Sequence, residues 1–173
     1  MAHRTVRGFL VIVLTIAAGC VAEQGIEKGK FAPALGAARE LQASLTKGAA
    51  CDIPDALLRK LVAETEALKA KAASREEKKV VQALSGLVAT YNDGALLCGA
   101  RNRVSEFKFV PKGRIHVFQD MDPLVLKYDL AVENHVYKPT GAAWKSVSED
   151  SVKVIWESAE TLLRNIENMV NYS

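Results

Sequence analysis

The sequence is poor in the residues that build β-rich folds. Aromatic residues make up 6% of the 173 positions, and there are only 11 glycines and 5 prolines. β-Sandwiches and barrels need many short strands separated by Gly- and Pro-rich turns, so this composition argues against them. The chain is instead rich in alanine, which favours packed helices.

The chain also lacks a surplus of charge of one sign. It has 23 Lys and Arg against 20 Asp and Glu, a formal net charge of +3. Residues 1–19 contain Arg4 and Arg7 and no acid, so the rest of the chain is close to neutral. Nucleic-acid-binding domains usually carry a concentrated basic stripe. We therefore expect no nucleic-acid partner.

Sequence motifs of the common chemistries are missing. The chain has no Cys-x-x-Cys-His haem site, no Gly-rich phosphate loop, no Gly-x-Ser-x-Gly elbow and no His-Glu-x-x-His pair. Beyond the first 19 residues the only histidines are His116 and His135, and they do not have the spacing of metal ligands on a helix. We predict a protein that is not an enzyme and holds no metal or cofactor.

A long hydrophobic run is absent as well. The longest covers about ten residues at positions 9–18, whereas a membrane-spanning helix needs about 20. Because Arg4 and Arg7 precede this run, it has the parts of a secretory signal peptide. An ordinary peptidase could cut such a peptide after Gly19 or after Ala22, and a short uncleaved anchor is a further alternative.

The end of this run is more specific than an ordinary signal peptide. Ala17, Ala18 and Gly19 lead directly into Cys20, which resembles the lipobox of bacterial lipoproteins. The resemblance implies that residues 1–19 are removed. Cys20 then becomes the first residue and carries a thioether-linked diacylglycerol and an amide-linked fatty acid such as palmitate. Val21 stands where Asp would favour the inner membrane, so the resemblance implies an outer-membrane protein that faces the periplasm.

With Cys20 assigned to lipid, Cys51 and Cys98 remain as a pair in an exported chain. They lie at nearly equal distances before and after Ala73, where the second and third predicted helices meet. In an antiparallel helix pair the two cysteines therefore return to a similar level. We predict a Cys51–Cys98 disulfide, which suits an oxidising compartment. Two buried free thiols are the alternative.

Apolar residues repeat with helical spacing over most of the remaining chain. We predict a single domain over 31–173, preceded by a polar tether over 20–30. Its fold class is mostly α, an up-and-down bundle of about four helices. The helices are expected at about 32–46, from Asp52, from Ser74 and at about 148–171, with a short one after Asp122. Ser74 with Glu77 and Ser146 with Glu149 have the spacing of capping boxes.

Two local features of the third helix need interpretation. Residues 76–79, with two acids followed by two bases, are interpreted as a solvated helix face. Asp93 and Gly94 form a turn signal within the helical pattern, which allows either a kink or an early helix end.

The chain changes character over about 99–146, which we predict to be an irregular insertion. Residues 105–118 form either a short β-hairpin or an apolar loop, and 131–145 form an irregular connection. Long ordered loops often carry function, so we take the aromatic and imidazole side chains here as the candidate ligand region. The set is Phe107, Phe109, His116, Phe118, Tyr128, His135, Tyr137 and Trp144.

Two functional hypotheses follow from these features. The first is a membrane-anchored envelope lipoprotein with a non-enzymatic role, either binding an envelope protein partner or supporting structure. The second is a periplasmic module that binds a small ligand or metal in a pocket between the bundle and the insertion. On a simpler interpretation, the aromatic side chains only pin the insertion to the bundle.

Overall fold

The computed structural model describes residues 25–48, 50–103 and 110–172. Within them the chain is mostly helical, with a small antiparallel sheet, as the sequence predicts. The elements are α1 (Lys28–Lys47), α2 (Asp55–Lys71), α3 (Arg75–Arg103), β1 (Arg114–Val117), α4 (Asp122–Lys127), β2 (Val132–Tyr137), β3 (Ala142–Ser148) and α5 (Val152–Asn171). The signal-like segment, Cys20, Phe107 and Phe109 lie outside the described residues.

Four helices, α1, α2, α3 and α5, pack as an up-and-down bundle. The start of α1 lies beside the end of α5, where Lys28 Nζ donates a hydrogen bond to the carbonyl of Asn171 at 2.7 Å. The later part of α1 lies beside the start of α5, where Gln42 Nε2 donates to the carbonyl of Trp156 at 3.2 Å. The predicted apolar stripes meet in one core. It includes Phe31, Leu41, Leu61, Leu84, Leu87, Ile155 and Ile166.

Several helix boundaries differ from the predicted ones. α1 begins at Lys28, so the last three residues of the expected tether are helical, and Ile26 before them is already buried. α2 begins at Asp55, with Pro54 rather than Asp52 at its N-cap. The carbonyl of Pro54 accepts the first backbone hydrogen bonds of this helix. The short helix α4 begins at Asp122, one residue earlier than predicted, with Met121 rather than Asp122 at its N-cap.

The disulfide prediction is confirmed. Cys51 lies in the turn between α1 and α2, and Cys98 lies in the last part of α3. They are bonded, with Cα atoms 5.2 Å apart. The bond closes a separation of 47 residues, which contributes about 4 kcal/mol in the chain-entropy account of disulfides. It staples the α1–α2 turn to α3.

The helix α3 continues through Asp93 and Gly94 without a break. The physical reason is the close approach of α5, because the Trp156 ring packs directly on the backbone of Gly94. A Cβ atom at position 94 would stand 2.1 Å from Cη2 of Trp156. The glycine therefore makes room for a tryptophan and does not mark a turn.

The insertion contains a three-stranded antiparallel sheet in the order β1–β3–β2. β1 lies within residues 105–118, for which a short hairpin was one prediction. Its partner strand is β3, however, which lies outside that segment. The irregular connection predicted over 131–145 is wrong, because β2 and β3 form a hairpin there. Gly141 adopts a positive φ of 73° in its turn, which glycine allows without strain.

One face of this sheet joins the protein core. Ile115, Val117 and Val147 on that face are buried. The sheet lies against α3, and Arg101 of α3 pairs with Glu149 just before α5. The sheet is therefore at the end of the bundle where α3 ends and α5 begins. No helix in the described ranges is long and apolar enough to cross a membrane.

Candidate functional site

Side chains of all three strands form a row of rings on the other face of the sheet. His135 of β2 lies directly opposite Trp144 of β3, and their rings stack with centroids 4.1 Å apart. His116 of β1 lies parallel to the same indole at 5.6 Å. Phe118, just beyond β1, packs against His116 at 4.5 Å. The structure thus brings together four of the eight side chains of the candidate ligand region.

Two further members of that set, Tyr128 and Tyr137, lie among the described residues. Tyr128 follows α4, and its hydroxyl donates to Asp93 Oδ2 at 2.8 Å. Lys127 Nζ donates to the same carboxylate oxygen at 2.7 Å, so both side chains pin α4 to α3. Tyr137 lies at the outer end of β2 and is exposed.

Burial sets the charge state of one imidazole in the row. Desolvation lowers the pKa of His116 from its ordinary value of 6.5, so this ring is mainly neutral at pH 7. Its stacking on Trp144 and Phe118 therefore occurs as an uncharged ring. The interaction is therefore packing between neutral rings and not a cation–π interaction.

A polar network lies beside the ring row. The hydroxyl oxygen of the buried Ser146 accepts a hydrogen bond from Arg114 Nε at 3.0 Å. It lies 2.8 Å from His135 Nε2. From its position on β3, Ser146 therefore connects a side chain of β1 with a side chain of β2.

This network does not have the geometry of a serine nucleophile. Glu133 binds Arg114 Nη1 at 2.9 Å and approaches His135 from the Nε2 side, at 3.9 Å. In a catalytic triad the carboxylate orients the opposite ring nitrogen. Here Ser146 is fully buried and its oxygen is already an acceptor for Arg114. The four groups fix the relative positions of the three strands.

The network also corrects one sequence prediction. Ser146 was predicted to cap the last helix with Glu149. Its hydroxyl bonds to Arg114 and His135 instead. Ser148 accepts a hydrogen bond from the Asp150 amide at 3.2 Å and caps the short 3-10 turn Glu149–Ser151 that precedes α5. The difference arises because the last strand continues to Ser148, two residues beyond the predicted cap.

A polar site that the sequence did not predict lies between α1, α3 and α5. Gln42 is buried, accepts a hydrogen bond from the Tyr91 hydroxyl at 2.8 Å and donates to the carbonyl of Trp156. The indole Nε1 of Trp156 donates to the carbonyl of Ala50 at 2.9 Å. Burial raises the pKa of Tyr91 above its usual range, so this phenol stays protonated. The signal available from sequence was a glutamine next to the apolar stripe of α1.

A cleft of about 160 Å³ opens beside this network. Trp156 and Leu45 form its apolar wall, and Lys153, Glu157 and Glu160 are at its rim. The Gln42 side chain that lines the cleft already forms hydrogen bonds to Tyr91 of α3 and Trp156 of α5. The buried polar groups beside the cleft are therefore occupied, and the charged groups that it offers a ligand are those of its rim.

Among the residues that the structure describes, no three His, Cys, Asp or Glu side chains come together as metal ligands.

Comparison with known proteins reveals no relative of this chain. No family model matches the chain, and neither a curated protein nor a solved structure matches it.

Proposed function

We propose that this protein is a bacterial envelope lipoprotein, anchored by acyl chains on Cys20, whose domain binds an envelope protein without catalysing a reaction. The observation that carries the proposal is the Cys51–Cys98 disulfide. Disulfides persist in oxidising compartments such as the periplasm, and a signal-like segment precedes the domain. Val21 after the cysteine favours the outer membrane, with the domain in the periplasm.

The binding surface in this proposal is the outer part of the β2–β3 hairpin, which we call the hairpin arm (residues 134–144). β1 pairs only with residues 145–148 of β3, so the paired strands of the arm extend beyond the end of β1. Its Val136 and Tyr137 are 64% and 37% exposed. An extended strand edge with exposed apolar side chains is a surface on which a protein partner can add a strand.

The alternative, a small-ligand or metal site between bundle and insertion, has weaker support. The four rings of the candidate ligand region that come together pack on one another. Their neighbours Arg114, Ser146 and Glu133 are occupied with mutual hydrogen bonds. Such a surface is suited to holding the strands of the sheet together.

Site-specific photo-crosslinking in living cells tests the binding role. We expect a photoreactive residue at Val136 to give one discrete crosslinked species, and Tyr137→Ser to reduce its yield. The matched control is Val154, an exposed valine of α5 outside the arm. Equal crosslinking at 136 and 154, or no crosslink at 136, would contradict a partner on the arm.

A further inference from the structure

We propose that the turn between α2 and α3 docks on anionic phospholipid headgroups through a basic patch formed by Lys71, Arg75 and Lys78. The inference rests on the proposed lipid anchor at Cys20. It adds an orientation to the anchored protein: the α2–α3 end faces the membrane, and the sheet and hairpin arm face away from it.

The basic patch consists of exposed cations that other side chains do not neutralise. Within residues 25–48, 50–103 and 110–172, Lys71, Arg75 and Lys78 form no ion pair, and all three are exposed. Neighbouring lysines differ, because Lys69 pairs with Glu66 and Lys79 with Glu76. Each unpaired Lys or Arg near an anionic membrane surface contributes about 1 kcal/mol of attraction.

The chain enters the domain beside this patch. The Glu27 amide lies 3.4 Å from Glu77 Oε1, near the start of α3. Lys30 Nζ lies 3.4 Å from the carbonyl of Lys71, which is the last residue of α2. The entry of the chain and the α2–α3 turn are therefore at the same end of the bundle.

The length of the link limits how far this end can move from the membrane. Five peptide units separate Cys20 from Gly25, the first described residue. Even fully extended, they span at most about 18 Å. An acylated Cys20 therefore allows the basic patch to reach the headgroups but does not force contact, because the span exceeds the roughly 8 Å range of electrostatic attraction at physiological salt. The attraction of the patch itself has to bring this end of the bundle to the surface.

The opposite end of the bundle has no comparable surplus of positive charge. Asp52 and Asp55, at the start of α2, are exposed and form no ion pair among the described residues. α2 is about 26 Å long at the rise of an α-helix, so these acids lie far from the patch. Lys47 and Arg59 are also exposed near this end and form no ion pair among the described residues, so its unpaired charges balance. An anionic surface therefore attracts the α2–α3 end more strongly than this one, which favours a single orientation.

Lysine reactivity on vesicles tests the orientation. The full-length protein is extracted from its membranes and reconstituted into phosphatidylcholine vesicles, either pure or with roughly one-third phosphatidylglycerol. Modification by a membrane-impermeant acylating reagent is followed by peptide mass spectrometry. We expect phosphatidylglycerol to slow the modification of Lys71 and Lys78 by at least about threefold, and salt at about 0.5 M to restore it. Lys138, in the turn of the hairpin arm, is the internal control and should not change.

Two charge reversals provide matched variants. Arg75→Glu should abolish the protection of Lys71 and Lys78, whereas Arg59→Glu, an exposed arginine near the other end of α2, should leave it intact. Equal reactivity on the two kinds of vesicle, or equal effects of the two variants, would overturn the inference.

The intact mass of the same preparation separates this inference from the proposed function. A chain without acyl groups would refute the anchor alone. Flotation of the unacylated chain with vesicles then tests the basic patch. Binding only to vesicles that contain phosphatidylglycerol, lost in Arg75→Glu, supports the inference, and absence of binding refutes it.

Discussion

At the scale of single residues, Gly94 has the most specific role that the structure reveals. It allows the buried Trp156 ring to touch the backbone of α3, and this ring in turn donates to the Ala50 carbonyl beside the disulfide. The absence of a Cβ atom at position 94 therefore allows α3, α5 and the α1–α2 turn to come into contact. In the sequence this glycine has the signature of a turn, since the preceding residue is Asp93.

We predict that Gly94→Ala destabilises the protein by about 2 kcal/mol or more, because the new methyl group must displace a packed tryptophan. The matched control is Gly86→Ala in the same helix, where nothing lies within 4 Å of an added Cβ. That variant should gain about 0.5–1 kcal/mol from helix propensity. Urea unfolding measures both, and equal stability of the two variants would contradict the role of Gly94.

At the scale of elements, Glu77 connects the start of α1 with the start of α3. Its carboxylate accepts hydrogen bonds from Lys30 Nζ at 2.7 Å and from the Ala73 amide at 2.8 Å. Its own amide donates to Ser74 Oγ at 3.1 Å, the half of the predicted capping box that forms as expected. The prediction of a solvated face is wrong for this residue, which is 3% exposed.

The bonds to Glu77 make the stability of the protein depend on pH. The hydrogen bond from Lys30, followed by that from the Ala73 amide, lowers the pKa of Glu77 from 4.5 to about 2. The stabilisation is therefore complete above pH 4.5 and is lost as the pH falls from 4.5 towards 2. We predict that Glu77→Gln costs roughly 2 kcal/mol at pH 7 and progressively less in this acidic range.

Chemical unfolding of Glu77→Gln and wild type at several pH values measures this dependence. Glu76→Gln is the matched control, because Glu76 forms only a partly exposed pair with Lys79. Its effect should stay below about 0.5 kcal/mol, as for most surface ion pairs. A constant difference between Glu77→Gln and wild type from pH 7 to pH 2 would argue against the lowered pKa.

The elements differ in how well they could be predicted from sequence. The bundle helices were predictable because helical periodicity accumulates over many residues, as in the stripe that includes Leu84 and Leu87. β2 was not, since its residues are largely exposed and show no alternation of apolar and polar positions. The burial of Glu77 also escaped prediction, because it depends on Lys30, a partner 47 positions away.

The candidate site was predictable only in part. His116, Phe118, His135 and Trp144 do meet, although the strands that bring them together were not foreseen. Ser146 and Arg114 were missed as members of the network, since only the strand register shows that they are adjacent. The network of Gln42, Tyr91 and Trp156 was missed because its three members lie on three different helices.

At the scale of the whole molecule, the features combine into an oriented protein. The chain enters the domain beside the basic patch, and the disulfide and the sheet lie towards the other end of the bundle. If Cys20 is acylated, the patch faces the membrane and the hairpin arm extends towards the periplasm. The proposed function therefore rests on the anchor at Cys20 and on the oxidised Cys51–Cys98 pair in the domain.

A non-reducing intact mass spectrum of the protein extracted from its own membranes tests that claim most directly. The account predicts a chain that begins at Cys20, carries acyl groups and is lighter by two hydrogens than the form with free Cys51 and Cys98 thiols. An unacylated chain that begins after Ala22, or one that retains residues 1–19, would contradict the anchor. A mass with both thiols free would contradict the oxidising compartment on which the proposed function depends.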